Sequence, residues 1–240
     1  MAELDHSLPV EYFSALAALP GYVHAFVTRV PGLDVRQDKQ EALCRLDAVH
    51  RRVREEIGLD ASPFLTAEQV HGSEVRVIDR LLSRDQCFAN CDGLVTNQAN
   101  VCLGIHVADC CAVYIVDAVR RCFGLVHSGK KGSELGIAGR AIDLMVERFG
   151  SEPTELIVQL SPCIRPPHYE TDFAAEIVRV CRERGVKNIH DSGACTACDL
   201  ERYYSYRAEQ GKTGRMLALL VLRSDVGAAA SALSSRISSN

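Results

Sequence analysis

Val101 to Gly132 reads VCLGIHVADCCAVYIVDAVRRCFGLVHSGKKG, and its punctuation decides the fold. Three apolar runs, Val101 to Val107, Ala112 to Val116 and Cys122 to Val126, are short and rich in β-branched residues, the pattern of buried strands. The interruptions carry the chemistry. Ala108-Asp109-Cys110-Cys111 separates the first two runs, and His127-Ser128-Gly129-Lys130-Lys131-Gly132 follows the third. Upstream, the apolar-flanked segment Phe64 to Val70 ends at His71-Gly72. His71, Cys110 and His127 thus each fall at an expected strand terminus.

Imidazole and thiolate are zinc donors, and three protein ligands leave the fourth tetrahedral position for water or substrate, which implies catalysis rather than a structural staple. The separations from 71 to 110 and from 110 to 127 match no compact zinc-finger spacing. Spacing alone therefore leaves open that the three are ordinary buried residues. It also leaves Cys110 as a thiolate nucleophile beside two histidines.

Working outward, Tyr22 to Arg29 alternates as a strand, and Pro31-Gly32 ends it. Asp38 to Ile57 reads as an amphipathic helix with Leu43, Leu46, Val49, Val53 and Ile57 on one stripe, closed by Gly58. His50, beside the stripe, reads as a partly exposed helix histidine. Phe64 to Val70 and Val75 to Ile78 are short strands around Gln69-Val70-His71-Gly72, with Gly72 able to supply a tight turn. Gln69 is either a pocket hydrogen-bonding group or a surface residue. Leu81 to Asn90 is expected to be a loop or short helix. Asp92, before Gly93, is either a turn residue or a carboxylate orienting a histidine ligand. His106 reads as a core histidine, and Asp109 as a loop aspartate or a partner of the Cys110 site. Cys111, the strand neighbour of Cys110, should face the other way.

Beyond His127 the Ser-Gly-Lys-Lys-Gly turn feeds a helix from Ile137 to Phe149, where backbone N–H groups and Lys130 or Lys131 could hold an anion. Leu156 to Leu160 is a strand, and the proline-bearing loop through Cys163, His168 and Tyr169 suits a pocket wall. Phe173 to Arg184 reads as a helix with Ile177, Val180 and Cys181 inward. Asp199 to Gln210 has helix-compatible composition and carries Tyr203, Tyr204, Tyr206 and Arg207. Met216 to Leu222 is a final strand, and an Ala/Ser-rich tail runs from Gly227 to Asn240. The expected fold is one α+β domain spanning 1–240, a mixed sheet core flanked by helices.

Six segments occur in one order: QVHG at 69–72, CDGLVTN at 91–97, ADC at 108–110, LVHSGKKG at 125–132, SPCI at 161–164 and SYRAEQGKTGRM at 205–216. Together they resemble the multicopper polyphenol oxidase, or laccase-like, YfiH family, whose bacterial and animal members are described as zinc-dependent purine nucleoside phosphorylases. The resemblance covers about 64–222 and implies that His71, Cys110 and His127 bind one Zn2+. It further implies phosphorolysis of adenosine- or inosine-type nucleosides to base and ribose 1-phosphate, with adenosine deamination as a companion activity. Lys131, Lys130, Arg207 and Gln69 would then bind substrate or phosphate, with Asp92 and Asp109 supporting the site.

Two departures stand out. Lys130 and Lys131 occupy positions where the family commonly has tryptophan and arginine, so positive charge persists without the bidentate fork of arginine. TRVPGLDVRQDK at 28–39 lacks the Gly-Gly-Val-Ser and Leu-Asn-Leu segments that often contribute to the family's pocket. The family's older name suggests a copper-dependent oxidase as the alternative, but eight histidines without a His-x-His pair suit multicopper chemistry poorly. A non-catalytic metal- or thiol-binding protein is the third reading.

The 240 residues, 47% of them hydrophobic, supply the core of one large domain. A net charge of −4 gives no sign of a nucleic-acid partner. No apolar run long enough to span a membrane and no signal peptide is visible, so a cytoplasmic address is expected. The expected partners are small molecules, and the sequence carries no signal of oligomeric state. Eleven irregularly spaced cysteines argue for reduced thiols. Cys195 and Cys198 form a lone CxxC, readable as a redox dithiol, half a metal knuckle or a local feature.

Overall fold

The strand run read from the sequence gives one strand to one sheet and two to a second in the computed structural model, which describes residues 8–224. In chain order, β1 (Val10–Glu11) and one helical turn, α1 (Ser14–Ala17), precede β2 (Tyr22–Val27) and the long helix α2 (Lys39–Glu56). Then come β3 (Phe64–Ala67), β4 (Val75–Ile78), β5 (Gln86–Phe88), β6 (Gly93–Thr96), β7 (Cys102–Val107), β8 (Cys111–Asp117) and β9 (Cys122–Ser128). The remainder is α3 (Lys130–Glu134), α4 (Ile137–Phe149), β10 (Ile157–Leu160), α5 (Phe173–Glu183), β11 (Asn188–Asp191) and β12 (Met216–Leu222).

The expected mixed sheet core is two mixed six-stranded sheets, ordered β1-β2-β12-β7-β3-β5 and β11-β10-β8-β9-β6-β4. Their central strands are apolar throughout because both faces are covered. In β8, Ala112, Tyr114 and Val116 enter the core between the sheets with Phe26, Leu103, Ile105, Ala218 and Leu220. The alternate residues Cys111, Val113 and Ile115 pack beneath Ile142 and Met145 of α4 and Ile177 of α5. On the other sheet, Leu217, Leu219 and Val221 of β12 pack with Val53 of α2. The Tyr114 hydroxyl donates to the Ala25 carbonyl at 3.0 Å, so even the polar end of this buried ring is satisfied.

The long helix begins where Asp38 accepts from Gln40 N and Glu41 N, and it stops at Gly58, whose φ is +71°. Its covered stripe is Ala42, Leu46, His50 and Val53, rotated from the expected one. His50 is therefore buried, 6% exposed, rather than partly exposed. Small Ala42 lets this face sit close, and the His50 ring packs 5.7 Å from that of His106.

Three local expectations are corrected. Leu81 to Asn90 contains β5, paired in parallel with β3, which sequence could not show because three residues carry no periodicity. The Lys130-Lys131 turn is the short helix α3, closed by Ser133, whose hydroxyl donates to the Gly129 carbonyl at 2.8 Å. Residues 199–210 form successive turns, not a helix. There the Asp199 carboxylate accepts from Arg202 N and the Glu209 carboxylate from Ser205 N, local bonds that compete with a helical ladder. β11, parallel to β10 across α5, had no sequence signal strong enough to be read. The tail from 227 to 240 lies outside the described residues. Among the described residues no helix is long and apolar enough to cross a membrane.

Candidate metal centre and cavity

His71 lies on the connection from β3 to β4, which passes from one sheet to the other, and Cys110 lies on the similar passage from β7 to β8. His127 is the penultimate residue of β9. Their donor atoms all fall within 4.8 Å of one another, and the His71 and His127 rings meet edge to face at 4.8 Å. Donors around a tetrahedral zinc stand about 3.3–3.8 Å apart, so small side-chain adjustments suffice. Gly129 makes room for the sulfur: a Cβ there would meet Cys110 Sγ at 2.5 Å.

Backbone strain concentrates on the same turn. Gln69 and His71 adopt φ of +65° and +61°, and the left-handed conformation thus falls on these two residues rather than on Gly72. Asp92, fully buried, holds the turn by accepting from His71 N at 2.8 Å and Gly72 N at 2.7 Å. Its Oδ1 also lies 3.0 Å from His127 Nδ1, which directs Nε2 of that ring toward the centre.

Electrostatics support a thiolate. Burial alone would push the Cys110 thiol up, but His127 and His71 draw it down to about 6. Burial would likewise lower His127, yet Cys110 and Asp92 raise it to about 9. Asp92 resists the upward pull of burial through its bonds with His127, Gly72 and His71, and stays below the ordinary carboxylate value. The thiolate is the form that binds metal.

These groups face a cavity of about 820 Å3, large enough for a drug-sized ligand. Asp109, at φ +80°, accepts from the Thr196 hydroxyl and from Arg207 N, each at 2.7 Å. The Gln69 amide is engaged at both ends by the backbone of His106, donating to its carbonyl at 2.6 Å and accepting from its N–H at 2.9 Å. Lys130, Lys131 and Arg207 line the exposed rim. Glu170 bridges Lys130 at 3.3 Å and Arg207 at 3.2 Å, and the Arg207 guanidinium lies 4.8 Å from the centre of the Tyr169 ring.

The cavity also recruits residues that sequence reasoning passed over. Arg215, the penultimate residue of the SYRAEQGKTGRM segment, is 8% exposed and lines the cavity. His106, read as core, lines it too. Its position inside an apolar strand hid a strand end that opens on the site. Cys111 turns away, its Sγ near Ser161. Cys163 is buried and His168 exposed, and neither belongs to the three-residue cluster. The eleven cysteines are free thiols. Cys195 and Cys198 share a turn in which Cys198 N donates to the Cys195 carbonyl at 3.2 Å.

Residues 32–178 and 168–223 match the family described as multi-copper polyphenol oxidoreductase laccase. The purine nucleoside phosphorylase YlmD of Geobacillus stearothermophilus is 28% identical over 232 residues, covering 81% of this chain and 83% of that one. The crystal structure of YlmD from Geobacillus stearothermophilus superposes with a TM-score of 0.73 at 25% identity, over 88% of this chain and 94% of that chain. The crystal structure of Bacillus licheniformis hypothetical protein YfiH, at 23% identity, shares the fold with a TM-score of 0.74, over 84% of this chain and 93% of that chain.

Proposed function

The chain belongs to the multi-copper polyphenol oxidoreductase laccase family, and from that premise we propose that it is a zinc-dependent purine nucleoside phosphorylase. The observation that carries the reading is the convergence of His71, Cys110 and His127 on the wall of a nucleoside-sized cavity, together with the name borne by its Geobacillus relative. Two imidazoles and a thiolate are a zinc donor set with one corner free. The same donors can hold copper, but multicopper chemistry needs several metal centres, and among the described residues His71, Cys110 and His127 form the one such cluster. Zinc held there would supply Lewis acidity.

The protein's own groups then bind and orient. Asp92 fixes the His127 ring and the His71 turn at once. Lys130, Lys131 and Arg207 bring positive charge to the rim, favouring entry of a phosphate co-substrate. The aromatic faces of Tyr169 and Tyr206 border the same space and suit a purine ring. Ile164 and Phe173 add apolar wall to the same space.

Incubating purified, zinc-loaded protein with inosine or adenosine, with and without phosphate, tests the reading. Release of hypoxanthine or adenine with ribose 1-phosphate, dependent on phosphate, is expected, with about one zinc bound per chain. Conversion of adenosine to inosine in the same samples reports the companion deamination. Copper-stimulated dye oxidation with no base release would instead establish the oxidase, and neither activity would leave a binding protein.

A further inference from the structure

We infer that the corner of the cavity formed by Arg215, His106 and Lys39 seats a tetrahedral oxyanion, and that phosphate binds here rather than at the Lys130–Lys131 turn. The identity of the anion rests on the phosphorolysis proposed above, whereas its place rests on the geometry.

Arg215 is the starting point. The residue is 8% exposed, and its Nη1 donates at 2.8 Å to the carbonyls of Thr213 and Gly214. The fork's remaining donors meet no carboxylate, and among the described residues Arg215 makes no ion pair. The partly buried Arg29, Arg54 and Arg165, by contrast, face Glu209, Asp85 and Asp191. A covered cation without a counter-charge is costly unless a ligand completes it. Tyr206, Cys110 and Asp109 are near enough to act on Arg215 electrostatically, but none forms an ion pair with it: Asp109 spends both oxygens on Thr196 and Arg207 N, and Cys110 belongs to the proposed metal set.

His106 lines the same cavity, and its ring nitrogens meet no hydrogen-bond partner among the described residues. The ring is held in place, with the Gln69 amide gripping its backbone and His50 packed 5.7 Å away. Burial, His50 and the cations Lys39 and Arg215 hold its imidazole neutral, well below the ordinary histidine value. A neutral ring still offers one N–H donor. Lys39, exposed at the start of α2, lines the cavity and makes no ion pair among the described residues. Planar arginine, point-charge lysine and an imidazole N–H are the donor types that complement phosphate oxygens. Lys130 and Arg207, by contrast, already share the Glu170 carboxylate, so they draw an anion toward the rim without being free to seat it.

Calorimetric titration of inorganic phosphate into the zinc-loaded full chain tests the site without catalysis. Arg215→Gln is expected to weaken binding about tenfold or more, Lys39→Ala several-fold, and Lys131→Ala by about twofold at most. Lys39 is exposed, so its variant remains informative if Arg215→Gln folds poorly. Phosphate KM in the nucleoside assay should rise in the same order. Wild-type affinity in both Arg215→Gln and Lys39→Ala overturns the inference, as does a larger loss in Lys131→Ala than in either. Absence of phosphate binding to the wild-type chain at millimolar concentration also overturns it. Binding with this variant pattern but without nucleoside cleavage would uphold the oxyanion seat and refute phosphorolysis.

Discussion

Asp92 has two oxygens and three donors around it: His71 N and His127 Nδ1 share Oδ1, and Gly72 N takes Oδ2. One buried carboxylate thereby fixes one proposed ligand through its backbone and another through its ring. Asp92→Asn keeps the shape but removes the charge and puts a donor against a donor. Zinc affinity should fall about 10–100-fold, measured by competition with a chromophoric chelator; unchanged affinity would show that the carboxylate only closes a turn. A different set of residues governs acid sensitivity. Burial holds His24 and His50 down to about 4, and His106 to about 3, while His24 Nε2 accepts from Phe13 N at 2.7 Å, which requires the unprotonated ring. Below the unfolded value of ~6.5 the unfolded chain binds protons that the folded chain refuses, so stability falls from pH 6.5 toward 4. Each such histidine contributes up to ~1.4 kcal/mol per pH unit. Urea midpoints across that range should show the loss, and His24→Gln should flatten it. His71, Cys110 and His127 stood out as strand ends punctuated by His or Cys, but that pattern left ordinary buried residues open, and it was the ordered family motifs that grouped them. Arg215 and His106 did not stand out, since the significance of a buried arginine lies in its having no carboxylate partner among the described residues, and that is a three-dimensional fact.

Strands and helices differed in how openly the sequence declared them. β4 and β12 match their expected bounds, and β7, β8 and β9 lie within a residue or two of theirs; β7, β8, β9 and β12 are covered strands written as nearly continuous apolar runs, whereas β4 is a short segment with Arg76 exposed. α3 and β11 escaped for opposite reasons. α3 rests on paired serine hydroxyls, Ser128 and Ser133 at 2.8 Å, rather than on an apolar stripe, whereas β11 is a largely exposed edge strand with little apolar pattern. The β6–β9 pairing also depends on what is missing from Gly93. A Cβ there would lie 2.3 Å from Val126 Cγ1, one residue from His127. Gly93→Ala should therefore cost about 1–3 kcal/mol and weaken zinc binding through displacement of β9. A denaturation curve and a zinc titration check the two effects, and a fully stable variant would show that Val126 can yield.

The molecule alternates between its sheets. β3 to β4, β4 to β5, β5 to β6, β6 to β7 and β7 to β8 each cross from one to the other. Two of the proposed ligands lie on such crossings and the third on a strand of one sheet, so an ion bound by all three would tie the layers together. Metal removal by chelator should lower Tm, since a ligand at 100-fold its Kd stabilises the folded state by about 2.7 kcal/mol. Calorimetry with and without added zinc measures this, and identical transitions would mean that no metal couples to folding. At this scale the sequence conveyed one α+β unit with a mixed core. It did not convey two sheets, because apolar runs record that both faces are covered without recording by what.

Strand β12 lies in the middle of its sheet, between β2 and β7, yet it comes late in the chain. During synthesis on the ribosome, those two neighbours must wait with bare edges until residues 216–222 emerge. Arg215 arrives with that strand, so a nascent chain would already carry its histidines and thiolate while still lacking this cavity cation. The protein would acquire the centre of this sheet and its full complement of cavity residues only once residues 215–222 had been made.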